Sequence, residues 1–512
     1  MWISGRPGVS MSRIAIVFCS LSFIFLIWSY GIPHYSASSR YPGPGEKVVD
    51  PEEYTPGQFF ARTTTTTESS FGAATGIPKP RPETSGEEDP EILEPTPTPV
   101  VIPPAVPSTK SCLTAKGADD IMVVLKTSAT EIYDKLPEHL LTLFQCTPHY
   151  AIFSDLDGVV AGHKVYDALE NITAETRAKN KEFQYYDKIQ EYGAEGQQLA
   201  DLKGEGTKNL DKWKFLPMVY RAYRMQPYAK FFVFIEADTS LSWTNLLQWT
   251  TRLDSRIPIY AGAPSNIGSI RFAQRGGGLL ISNAAAKLYA TAYDQKYVGK
   301  WENRTATECC GDVMVAIALA EAHVEFYSAF PLLQGETPAT LDWTKRHWCA
   351  PVVSWHHMSP NEIDILWNFQ QAWTKKNGWQ TPYLIKNAFS EFVSPRLSPS
   401  RSNWDNLSQD HKITRPADDE ALGEGTAWYK LSDADKNSTL SFDYCKATCA
   451  SYADCLQWRY KTGECALSKV IKLGRRVTGE NAESKSGWFV ERIEKLTRSW
   501  EPCEEPSWSF NQ

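Results

Sequence analysis

The stretch Phe231-Phe232-Val233-Phe234-Ile235 constrains this chain more than any other. Five consecutive bulky apolar residues need cover on both faces, which is the situation of a strand inside a largely parallel sheet clothed by helices. Directly after it stand two carboxylates, Glu236 and Asp238, separated by Ala237. Ligands of open α/β sheets bind beyond the carboxyl ends of the strands, and paired carboxylates there suit a hard divalent cation that takes oxygen donors. From this fragment alone, a solvated strand end with a helix cap at Asp238 or Thr239 is an equal alternative. Ile121–Lys126 and Tyr150–Ser154 read as further strands, and Glu131–Phe144 and Leu210–Tyr223 as helices, the second with Leu210, Trp213, Tyr220 and Tyr223 at helical spacings. Strand, helix, strand predicts an α/β sandwich.

The front of the chain sets the compartment. Ile14–Ile32 carries no charge and follows Arg6 and Arg13; as a helix it spans roughly 28 Å, enough for a hydrocarbon core of about 30 Å. The arginines favour a cytosolic tail (1–13), an anchor (14–32) and a lumenal remainder. A cleaved signal peptide ending at Ser36-Ala37-Ser38 is the competing reading. Residues 33–111, rich in Pro, Thr and Ser, lack the apolar periodicity of a core and read as a stem. Ten cysteines follow the apolar segment: Cys112, Cys146, Cys309, Cys310, Cys349, Cys445, Cys449, Cys455, Cys465 and Cys503. An even number in an oxidising compartment predicts disulfides, with connectivity open; a Cys112–Cys146 bridge would contribute on the order of 3 to 4 kcal/mol by loop closure. Sequons at Asn171, Asn303, Asn406 and Asn437 fit N-glycosylation there. A net charge of -7 argues against nucleic-acid partners, which need clustered cations.

Boundaries predict a catalytic unit over 112–394, a linker over 395–425 where Pro, Ser, Asp and Gly dominate, a small cysteine-rich domain over 426–495 and a tail over 496–512. Thr127 and Ser128 after the first strand, and Asp155 and Asp157 after the second, stand where sheet topology puts nucleotide contacts. Gly276-Gly277-Gly278 either lets backbone approach a ligand or makes a tight turn before Leu279–Ser282. Asp312, opening the apolar run Val313–Ala322, is a base or a helix N-cap.

Glu236-Ala237-Asp238-Thr239, followed by Trp243-Thr244-Asn245-Leu246-Leu247-Gln248-Trp249, resembles glycosyltransferase family 31, in particular the core 1 β1,3-galactosyltransferase and Fringe branch of fungal type. The likeness continues in order through Tyr260-Ala261-Gly262, Gly276–Ser282, Cys309-Cys310-Gly311-Asp312-Val313 and Trp348–Met358, covering roughly 120–392. It implies a GT-A-type nucleotide-sugar-binding fold and an inverting transfer of a sugar, galactose by resemblance, from a UDP-sugar to a glycan or glycoprotein in β1,3 linkage. It implies a Mn-like cation on Asp238 and His356, with Glu236 a weaker ligand and His357 not a ligand. Ala237 falls at the nucleotide-sugar, Asp312 would be the catalytic base, and Gly276, Gly277 and Gly278 would lie on the acceptor side. The implied location is the Golgi or ER membrane, catalytic side in the lumen. Glu236, Ala237 and Gly311 depart from the family pattern and keep open a catalytically degenerate carbohydrate-binding protein. Phe442–Cys445, Cys449, Cys455–Trp458 and Cys465 resemble a PAN/apple module, which implies binding of protein or carbohydrate.

Overall fold

The computed structural model describes residues 110–418, 420–423, 425–479 and 483–508. The expected cytosolic tail, the apolar segment 14–32 and the stem as far as residue 109 lie outside the described residues, and among the described ones no helix is long and apolar enough to cross a membrane.

The first twelve strands are β1 (Ile121–Lys126), β2 (His149–Ser154), β3 (Gly158–Val160), β4 (His163–Asp167), β5 (Phe231–Glu236), β6 (Ser240–Leu241), β7 (Tyr260–Gly262), β8 (Pro264–Ile267), β9 (Ile270–Ala273), β10 (Leu279–Ser282), β11 (Phe326–Ser328) and β12 (Ser354–Trp355). Eight form a mixed sheet in the order β11-β7-β10-β5-β1-β2-β4-β3. β5, β1, β2 and β4 run parallel in sequence across it, and β10 is antiparallel between β5 and β7. The period-two alternation of side chains divides β5 between two cores. Phe232 and Phe234 join Met122 and Val124 under the helices Phe215–Met225, Asn283–Lys296 and Gly311–Glu321. Phe231, Val233 and Ile235 join Ile121, Val123 and Leu125 under Ile132–Leu141 and Trp243–Thr250. Cover on both faces is what the FFVFI run requires.

The helix expected over Leu210–Tyr223 is two. Glu205–Asp211 ends, Trp213 turns into a cluster with Phe183, Tyr186 and Leu210, and Phe215–Met225 begins anew. The break lets Lys214 reach inward, where its fully buried ammonium lies 2.9 Å from Asp155 and 3.3 Å from Asp211 and donates to the Thr127 carbonyl.

The C-terminal part is a second, antiparallel sheet built from β13 (Arg401–Ser402), β14 (Trp404–Asp405), β15 (His411–Thr414), β16 (Gln457–Lys461), β17 (Glu464–Ser468), β18 (Arg475–Arg476) and β19 (Lys485–Trp488); five strands order as β13-β19-β16-β17-β15 and β14 pairs β18. Both edge strands come from the segment expected as a linker, so that segment is part of the small domain. Its strands are short and bury only Trp404 of β14 and Ile413 of β15, too weak a pattern to read in advance. The helix Phe442–Ser451 is pinned to the sheet by Cys445–Cys465 and, at its end, by Cys449–Cys455. The remaining cysteines pair as Cys112–Cys146, Cys309–Cys310 and Cys349–Cys503. The expected tail is anchored: besides Cys503, Glu501 accepts from the Trp348 indole and pairs with Lys386, and Trp500 packs on Trp348. The small domain also bonds directly to the large one, Trp343 N–H to Ile471 O and Gly474 N–H to Ala339 O.

Asn171, Asn303 and Asn437 are exposed. Asn406 is not a usable sequon in the folded chain: it is fully buried and its amide donates to the Trp458 and Gly487 carbonyls.

Candidate metal centre and active site

The site begins where β5 ends. Parallel register sets Lys126, last in β1, beside Glu236, last in β5, and their side chains form an ion pair at 2.7 Å. Lys126 also holds Asp211 at 2.6 Å, and the Arg275 guanidinium approaches Glu236 at 3.4 Å. Burial pushes the Glu236 carboxyl up, but Lys126, Arg275 and His356 outweigh it and hold the group well below the usual carboxylate range. Glu236 is thus an ionised internal counter-ion.

The turn after β5 carries Asp238 outward. Thr239 Oγ accepts from the Glu236 N–H and donates to the Gly276 carbonyl, tying the turn to the glycine segment. His139, buried in the helix Ile132–Leu141, meets the Ala237 carbonyl at 2.9 Å through Nε2; burial lowers its pKa and keeps it neutral. Ala237 is itself buried.

The distant partner arrives on a ribbon. β6 pairs antiparallel with β12 through Leu241–Ser354 and Ser240–Trp355, so continuing that register brings His356 and His357 alongside Thr239 and Asp238. Asn245, which opens the NLLQW segment, anchors the approach by donating to the Val352 and Tyr383 carbonyls. Nε2 of His356 lies 3.3 Å from Asp238 Oδ1 and 3.5 Å from Glu236 Oε2. Burial lowers the His356 pKa, yet the two carboxylates raise it to about 9. Burial likewise opposes ionisation of Asp238, and His356 beside it prevails and lowers its pKa. The buried Nδ1 of His356 has no hydrogen-bond partner. Asp238, His356 and His357 each offer a ligand atom within 4.8 Å of the others, a donor set that fits a divalent ion.

The glycines are explained from the same side. A methyl group at Gly276 would overlap the His356 imidazole, one at Gly277 would press on the Gln334 backbone, and Gly278 has φ +84°. The close approach they permit is therefore to the chain's own histidine and backbone. Asp312 follows: its Oδ2 accepts from the Arg275 N–H at 3.1 Å, and Arg275 precedes Gly276. The N-cap of its helix is Cys310, so Asp312 lies within the first turn and is not the cap. It is 5% exposed, and burial raises its pKa against the pull of Arg275. A Cβ at Gly311 would strike the Phe215 ring and the Lys212 carbonyl, the steric reason for glycine there.

The expected nucleotide contacts divide. Asp155 is fully buried and spent on Lys214, the Ala129 N–H and Ser128 Oγ, which leaves it no oxygen for a ligand, while Ser128, half-buried, donates its hydroxyl to Asp155. Asp157 is exposed, pairs with Lys164 at 2.6 Å and lines a cavity of about 60 Å³ with Tyr133 and Leu199. Thr127 is buried, and its Oγ has no hydrogen-bond partner. A larger cavity, about 420 Å³, lies at the opposite strand ends among Tyr260, Arg271, His323 and Phe326. Sequence reasoning missed Lys126, Arg275, Asn245 and His139; the one signal was a lysine closing an apolar strand. No family model matches the chain, and no curated protein matches it.

Proposed function

We propose that this chain is an inverting, metal-dependent glycosyltransferase of GT-A type that moves a sugar, galactose by resemblance, from a UDP-sugar to a glycan or glycoprotein hydroxyl in β1,3 linkage. The observation that carries the reading is the meeting of Asp238 and His356 at the tip of β5, with Asp312 joined to them through Arg275 and Gly276. Segments remote in sequence meet beyond the carboxyl end of β5, the side of an α/β sheet where ligands bind. The five disulfides suit an oxidising compartment, and with the apolar segment 14–32 they support a Golgi or ER type II membrane protein with its catalytic unit in the lumen.

A divalent cation on Asp238 and His356 would neutralise the diphosphate as it leaves. The rest falls to the chain. Arg275 N–H orients the Asp312 carboxylate, and Asp312 takes the proton of the acceptor hydroxyl. That oxygen bonds to the anomeric carbon as the carbon–phosphate oxygen bond breaks and UDP departs with the electron pair. Burial raises the basicity of Asp312 and so favours the proton transfer.

Purified full chain in detergent, supplied with Mn and UDP-sugars, is expected to hydrolyse one of them slowly and to lose this in Asp238→Asn. The departures at Ala237 and Gly311 favour a second reading, a carbohydrate-binding protein without catalysis. A chain that binds glycans but neither UDP nor Mn would replace the first reading with the second.

A further inference from the structure

In an extended strand neighbouring side chains point to opposite faces, so two adjacent histidines would normally diverge. Here they do not. His356 leaves β12 in register, while His357 takes φ +57°, the left-handed region that non-glycine residues seldom occupy. That reversal cancels the alternation and lays the two rings together, centroids 3.8 Å apart. The next residue clamps the turn, Met358 N–H donating to the Asp238 carbonyl at 3.0 Å. Among the described residues the His357 ring makes no hydrogen bond, although it stands beside a carboxylate and a second imidazole. Unusual backbone conformations of this kind are held where the surroundings over-determine them, typically at ligand sites.

Two further facts select the ligand set. Glu236 Oε1 is taken by Lys126 at 2.7 Å and Arg275 at 3.4 Å, and although its Oε2 faces His356 Nε2 at 3.5 Å, Glu236 stands outside the cluster whose ligand atoms all approach one another. The ligand atoms of Asp238, His356 and His357 fall within 4.8 Å of one another, and donors at about 2.0–2.2 Å from one ion come that close. We infer that His357 is a third protein ligand, so that the cation sits on two imidazoles and one carboxylate, with Glu236 excluded. The inference rests on the proposed cation at Asp238 and His356. Its consequence is metal choice: imidazole suits later first-row ions such as Co and Zn, whereas Mg prefers oxygen donors.

The experiment titrates Mn and Co into the full chain in detergent and counts directly bound nitrogens by pulsed electron paramagnetic resonance of the Mn-loaded protein. Two nitrogens are expected in the parent and one in His357→Gln, with Co affinity reduced on the order of tenfold or more. His357→Gly, which relieves the left-handed strain, is expected to be at least as resistant to urea as the parent while binding Co as weakly as the glutamine variant. A merely structural His357 would not separate those two readouts. One bound nitrogen in the parent, with Co affinity unchanged in both variants, overturns the inference and leaves the transferase reading standing. A parent chain that binds neither ion overturns both.

Discussion

Gly276→Ala tests the centre of the argument without touching a ligand. The added methyl group would occupy the space of the His356 imidazole, which is 5% exposed. The ring must leave its 3.3 Å contact with Asp238. What is lost can be gauged from the metal-free protein, in which the carboxylates raise His356 from 6.5 to about 9. At about 1.4 kcal/mol per pKa unit this is on the order of 3 kcal/mol of interaction with the imidazolium. Because the folded pKa is raised, the contribution is fully present below about pH 6.5 and disappears as pH rises through about 9. Urea titrations of the metal-free parent should therefore show stability falling between pH 6.5 and 9.5, and Gly276→Ala should flatten that fall. Its Mn affinity should drop by roughly ten- to a hundredfold. Gly158→Ala, where an added Cβ meets nothing within 4 Å, is the control and should change neither. A folded Gly276→Ala protein with parental Mn affinity and an unchanged His356 titration would refute the reasoning.

Lys214→Met leaves the buried Asp155 without its counter-ion, while Asp211 keeps Lys126, and should cost about 3–5 kcal/mol in urea denaturation at pH 7. Burial of Asp155 is overcome by Lys214, which depresses its pKa; this contribution is present above about pH 4 and is lost as pH falls, so the penalty should shrink in acid. Asp312→Asn should lower transfer by roughly 10² to 10⁴-fold with Mn affinity intact. In the parent the acid limb of the rate should lie above the ordinary aspartate value, because burial raises Asp312 and the base must be ionised. Peptide mapping of chain made in a secretory host should find no glycan on Asn406 in folded protein, whereas an occupied Asn406 would contradict its burial.

How much of this was legible follows from range. The strands β1, β2 and β5 and their division between two cores are written in local apolar runs, and Asp238, His356 and Asp312 stood out as carboxylates and imidazole in ordered segments. The pairing of Lys126 with Glu236 depends on the register of two strands 110 residues apart, which no local pattern encodes. Gly276 could be read as a close approach, but not what it approached, since the imidazole comes from the far end of the fold. Asp155 looked like a ligand contact until Lys214 was seen to enter through a helix break that periodicity had bridged. His357 was set aside because the resemblance assigns the ligand to His356, and no local pattern signals the left-handed φ of +57° that lays its ring beside His356.

The ribbon of β6 and β12 is only two residue pairs long, yet it joins stretches as remote as Asn245 and Val352, 107 positions apart. Closing so long a loop is entropically costly and tends to come late. A nascent chain with β1, β2 and β5 already assembled would still own no place for a cation. Capture of the proposed cation would then be a property of the finished polypeptide alone, and because it would reward only that state, the ion would draw maturation toward completion by mass action.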